Sequence, residues 1–124
     1  MGKRHRRTIE SLLRRILAHL LLAVAAPTSD AVRHWLIEVV GFQAELQRRV
    51  SPSLLRQVDL DSVWRGAVID VWIKSQGMNG MDDATSAIAR LGYEGSACPL
   101  IIDELCASDF NAHAAVQRFN LARS

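Results

Sequence analysis

The amino-acid sequence predicts an all-α fold, a helical bundle with three long helices at about 8–26, 30–49 and 53–76 and two or three short helices after them. Three observations carry that reading. Apolar residues recur at steps of three and four along most of the chain, the spacing that lines one face of a helix. Leu, Ala, Arg and Val dominate, while three prolines and seven glycines fall at punctuating positions. No segment alternates apolar and polar residues for long enough to make a strand. With 124 residues, 49% of them hydrophobic, and a formal net charge of +2, the chain suffices for one core, not two, and wholesale disorder is excluded. It reads as a single domain over 1–124, with residues 1–6 and 122–124 expected to fray.

In the first helix Ile9, Leu12, Leu13, Ile16, Leu17, Leu20, Leu21 and Val24 share one face. Thr8 is the expected N-cap, and Pro27 stops the helix near Ala26. A span of about 19 residues makes it roughly 28 Å long. Ser29 or Asp30 is expected to cap the second helix, which carries Val32, Trp35, Leu36, Val39, Val40, Phe42 and Leu46. The short link between the two implies antiparallel neighbours. Leu36-Ile37 and Val39-Val40 are adjacent apolar pairs, so this helix is apolar on more than one face. A helix of that kind is either central in the bundle or used in oligomerisation.

Ser51-Pro52-Ser53 joins hydroxyl caps to a proline suited to a helix start. Leu54, Leu55 and Val58 follow, then Val63, Trp64, Val68, Ile69, Val71 and Trp72, and Asp59 and Asp61 suggest a kink or second cap between the two groups. The third helix should end at Gln76, with Gly77 as its left-handed C-terminal residue and a turn through Gly80. Short helices are expected at 83–91, 99–106 and about 109–121. Burying Trp35, Trp64 and Trp72 should each contribute roughly 2–3 kcal/mol before entropic costs.

Charge is unevenly spread. Lys3, Arg4, Arg6, Arg7, Arg14 and Arg15 face Glu10 alone over 1–15, whereas Asp82, Asp83, Glu94, Asp103, Glu104 and Asp109 face Arg90 alone over 82–109. The basic opening and the apolar run 16–26 have the outline of an export signal, and Arg6-Arg7 that of a twin-arginine signal. Glu10 inside the basic region, Arg14-Arg15 against the apolar run, and helical spacing from Ile9 onward favour a folded helix instead. The run is too short to span a bilayer, which takes about 20 apolar residues. Cys98 and Cys106, eight residues apart in a helical stretch, would lie roughly 12 Å apart. Reduced thiols of a cytoplasmic protein are therefore expected.

No catalytic constellation emerges. His5, His19, His34 and His113 show no H-E-x-x-H or E-x-x-H pairing, so no helical metal pair is read from them. His19 reads as a boundary residue with one hydrogen-bonded nitrogen, and His34 as solvated. Asp59, Asp61, Asp82 and Asp83 read as caps and dipole partners rather than metal ligands. Ser11, Ser53 and Ser96 lack a nucleophile-elbow context, and no glycine-rich phosphate loop is present. No cofactor is expected, and the chain is read as a non-enzyme. The basic residues Lys3, Arg4, Arg6, Arg7, Arg14 and Arg15 are the candidate interaction surface. They are solvated, paired with the acidic 82–109 region, set against phosphates of nucleic acid, or held at a membrane surface.

The run from Gly2-Lys3-Arg4-His5-Arg6-Arg7-Thr8-Ile9-Glu10-Ser11-Leu12 to Leu17-Ala18-His19-Leu20-Leu21 resembles the bacterial family Domain of Unknown Function twenty-nine. Trp35, Ser51-Pro52-Ser53-Leu54, Gly77, Cys98-Pro99, Leu105 and Asp109-Phe110 continue the likeness in order. The family usually has a further N-terminal segment, so this chain is expected to be a short member or to begin late. Its second helix is typically arginine-rich, whereas Leu36-Ile37-Glu38-Val39-Val40-Gly41-Phe42 is apolar here, which strengthens the burial or oligomer reading. The resemblance implies an all-helical fold and no established activity, so it supplies no functional residues. The expected role is a protein-interaction or oligomerisation module, probed first as a homo-oligomer. The alternative is a nucleic-acid-binding accessory protein using the basic first helix.

Overall fold

A long unbroken run of helix formers explains the first element, α1 (Gly2–Ala25). The computed structural model describes residues 2–25, 30–76, 105–107, 111, 112 and 114–116, with side chains in α1 from Arg6 to Val24. The helix begins at Gly2, so the expected Thr8 cap does not hold. Residues 3–7 contain no proline, glycine or β-branched side chain, and Arg6 lies 3.7 Å from Glu10 one turn on. Nothing in that stretch stops a helix, so Thr8 is absorbed into it.

The apolar face of α1 forms the core. Ile9, Leu13, Ile16, Leu17, Leu20 and Leu21 are fully buried, and Leu22, Ala23 and Val24 are buried beside them. Burial of five consecutive residues, 20–24, means that the C-terminal end of α1 is surrounded rather than laid on a surface.

The second helix, α2 (Val32–Arg49), is preceded by Ala31 in right-handed helical conformation, with no side-chain cap. Asp30 therefore does not cap it, and Ser29 lies outside the described residues. The turn is already wound at this point, since the Trp35 N–H donates to the Ala31 carbonyl at 2.9 Å. At the far end Arg48 and Arg49 suit the negative pole of the dipole, and Val50 is extended.

The expected third helix is two helices. In α3 (Pro52–Gln57) proline occupies the first turn and the Ser51 hydroxyl accepts from the Leu54 N–H at 3.3 Å. Val58 is extended, and the Asp59 carboxylate accepts from the Ser62 N–H at 3.2 Å to open α4 (Leu60–Gln76). The second cap read at Asp59 thus makes a full break, because a cap requires non-helical backbone at its own residue. Asp61 sits in the first turn of α4, where its charge opposes the dipole favourably.

Helix α1 packs between α2 and α4, and α3 lies against α1. Trp64, 1% exposed, and Trp35 are buried, whereas Trp72 is only partly so. Of the C-terminal residues, Leu105 and Ala115 join the core. The Gln43 amide donates to the Ala107 carbonyl at 2.8 Å, and that of Gln47 to the Cys106 carbonyl, tying this segment to α2. Asn111 opens a helical turn by accepting the Ala114 N–H at 3.0 Å; the expected start at about 109 lies outside the described residues. The expected Gly77 C-cap, the helix at 83–91, Cys98 and the acidic stretch 82–104 lie outside the described residues. The described residues contain no strand, and no helix among them is long and apolar enough to cross a membrane.

Candidate functional site

The solvent-facing stripe of α1 carries Arg7, Ser11 and Arg14 at i, i+4 and i+7. Together with Glu10 and Arg15 they form one wall of a cleft of about 490 Å³. Ser62, Val63 and Asp70 of α4 form the other. One ion pair closes the far end: Arg14 Nε donates to Asp70 Oδ2 at 2.6 Å and its Nη2 donates to Oδ1 at 2.7 Å. This two-pronged geometry is the strongest form of arginine–carboxylate contact. The hydrogen bond to Asp70 raises the Arg14 pKa above its ordinary value; desolvation opposes the shift and the charge of Asp70 reinforces it. Both side chains are nearly half exposed, at 47% and 45%, so solvent screens the pair and limits it to about 1 kcal/mol.

Gly66 makes that reach possible. A Cβ there would stand 2.9 Å from Arg14 Cζ and 3.0 Å from Nε, so the guanidinium crosses α4 where the helix has no side chain. A mid-helix glycine costs roughly 0.5–1 kcal/mol against alanine, and here the gap admits the arginine.

The candidate basic surface is divided by the fold. Lys3 and Arg4 lie on the first turn of α1, with side chains outside the described residues. Arg6 pairs with Glu10 at 3.7 Å, Arg14 with Asp70, and Arg7 is exposed on the cleft wall. Arg15 places its Cζ 5.8 Å from the centroid of the Phe42 ring on α2, a cation–π contact. Where a partner in the acidic 82–109 region was one expectation, the partner found for Arg14 is Asp70. That pair spans 56 residues, and its one sequence signal is a mid-helix glycine one turn before an acid.

His19 is the boundary residue expected. Its Nδ1 donates to the Arg15 carbonyl at 2.8 Å, and its ring meets Phe42 edge-on at 5.3 Å and 68°. His34 is solvated, but Nε2 stands 3.5 Å from Glu38 at i, i+4. That i, i+4 pairing lies outside the H-E-x-x-H and E-x-x-H patterns sought in the sequence, so an acid at helical spacing from His34 was missed. Among the described residues no group of three His, Cys, Asp or Glu side chains is placed to hold a metal. Cys106 is partly buried.

Known proteins place the fold in context. The chain resembles a crystal structure of an α-helical protein of unknown function from Rhodospirillum rubrum, with a TM-score of 0.76 and 25% sequence identity. The likeness covers 95% of this chain and 70% of that one. No curated protein sequence matches the chain. The family profile described as Domain of unknown function DUF29 matches residues 1–87, over both long helices of the α1–α2 pair and all of α3 and α4, and the chain belongs to that family.

Proposed function

We propose that this chain is a non-enzymatic helical module of the bacterial cytoplasm that acts through protein contacts and associates with copies of itself through the outer face of α2. One observation carries the reading: Ile37 and Val40, 60% and 61% exposed, stand on that face beside Gly41 and the exposed Ala44. The alternative position for an apolar second helix, the centre of the bundle, is taken by α1. Small residues let a second helix approach closely, and beyond the adjoining backbone of α2 no atom lies within 4 Å of where a Gly41 side chain would start. Helix α4 also exposes Ile69 and Ile73, at 49% and 60%, with Arg65 and Asp70 at the same offsets from Ile69 that Arg33 and Glu38 hold from Ile37. Gly41 and Ala44 carry the uncharged stripe of α2 further, and interface centres are depleted of charge, so the α2 face is the better match. A two-fold pairing sets the same stripe on both protomers. Light scattering on a sizing column tests this: mass above that of one chain, rising across micromolar concentrations, is expected, and a strict monomer overturns it.

The second reading is a nucleic-acid accessory role through Lys3, Arg4, Arg6, Arg7, Arg14 and Arg15. The run of positive charge along one helix favours it. Neutralisation of Arg6 by Glu10 and of Arg14 by Asp70 weakens it, since phosphate contacts need available cations. Mobility shifts at two salt concentrations, with Lys3, Arg4, Arg6 and Arg7 changed to Gln, separate the two readings.

A further inference from the structure

The cleft between α1 and α4 is lined by three arginines and two carboxylates, with the carboxylate of Asp59 at its Ser62 end. Arg7, Arg14 and Arg15 line it against Glu10 and Asp70, and Glu10 is in turn approached by Arg6 at 3.7 Å. Arg7, Ser11 and Arg14 set donors along one helical stripe about 10 Å long, and Ser62 stands on the opposite wall in the first turn of α4. Asp59 already accepts the Ser62 N–H, so the helix end adds only its dipole and the side chains make the site. Forked guanidinium donors with hydroxyls between them are the chemistry that recognises phosphate. A volume of about 490 Å³ falls within the range of small-molecule sites.

We propose that this cleft binds the phosphate group of a small phosphorylated molecule. Arg7 and Ser11 contact the phosphate from α1 and Ser62 from α4. Asp70 holds Arg14 at the end of the cleft and competes with the phosphate for its guanidinium. The site lies on a different face from Ile37 and Val40, so it stands or falls separately from self-association.

Calorimetric titration of the full chain with inorganic phosphate and with a nucleoside monophosphate, at ionic strength fixed with chloride, tests this. Both should bind saturably, the monophosphate more tightly because its organic part fills the remaining cleft. Arg7→Gln should weaken binding about tenfold without moving the thermal midpoint, since Arg7 is exposed. Ser11→Ala should weaken it less, and Asp70→Asn should tighten it. Arg33→Gln, the same charge loss at an exposed position on α2, should change nothing. Absence of saturable binding, equal loss in Arg7→Gln and Arg33→Gln, or wild-type affinity in Arg7→Gln each overturns the proposal. So does a single-stranded oligonucleotide that binds more tightly than the monophosphate with steep salt dependence, which marks a polyanion surface instead.

Discussion

Arg14 and Arg15 are neighbours in sequence, yet they serve the two sides of α1 in different ways. A step of about 100° around the helix turns Arg14 toward α4, where it meets the carboxylate of Asp70 across Gly66. The same step turns Arg15 toward α2, where it lies over Phe42 beside the edge-on ring of His19. The α1–α4 seam at this level is polar and opens into a cleft; the α1–α2 seam is closed by an aromatic ring. Below both, the leucine face of α1 is continuous and the seams share one core. Charge on the rim of a helix is thus sorted by what its neighbours offer, and burial beneath is indifferent to it.

The first way to break this comparison is from below. Trp64 is packed under the α4 seam, and Trp64→Ala should cost about 3–5 kcal/mol in urea denaturation, because a large buried side chain leaves a cavity. A much smaller loss would show that the two seams do not share a core. On the α2 side, Phe42→Leu keeps apolar volume but removes the ring. It should cost about 0.5–1.5 kcal/mol, with a coupling to Arg15→Met of about 0.5–1 kcal/mol in a double-mutant cycle.

The α4 side should be the weaker of the two rims. Asp70→Asn should cost about 0.5–1 kcal/mol at low salt and less at high salt, since the pair is nearly half exposed. In a Gly66→Ala background the same change should cost close to nothing, because the added methyl displaces the guanidinium before the carboxylate is removed. Arg14 brings no pH dependence near neutrality. Its pKa is raised on folding, so its contribution is complete below the unfolded value and fades only in strong alkali.

The smallest effect is local to α2. The hydrogen bonds from Arg48, then Arg49, lower the Glu45 pKa on folding. Its contribution is therefore present above the ordinary glutamate pKa and lost as pH falls through the depressed value. Glu45→Gln should lower the neutral plateau slightly and flatten the acid limb, so that the two stability curves converge at low pH.

What sequence made visible was local. Leucine spacing placed the core face of α1, Ser51-Pro52 opened α3 and Asp59 opened α4, because periodicity and caps act within a few residues. The misses have two causes. Thr8 and Asp30 look like caps, but a cap forms only where the preceding chain leaves the helix, and at Thr8 it does not. The Arg14–Asp70 pair and the central place of α1 depend on tertiary packing between distant segments, which spacing along one helix does not encode. The excess of apolar residues on α2 was legible; that it ends up facing outward was decided by α1 filling the centre.

The central claim, that this outward face of α2 joins copies of the chain, is tested most directly by sedimentation equilibrium on two paired variants. Ile37→Glu/Val40→Glu should abolish association while helical content and thermal midpoint stay near wild type, since both positions are about 60% exposed. Ile69→Glu/Ile73→Glu, an equal charge change on the outer face of α4, should leave association intact. A monomeric wild type, or loss of association in the α4 variant alone, would contradict the claim.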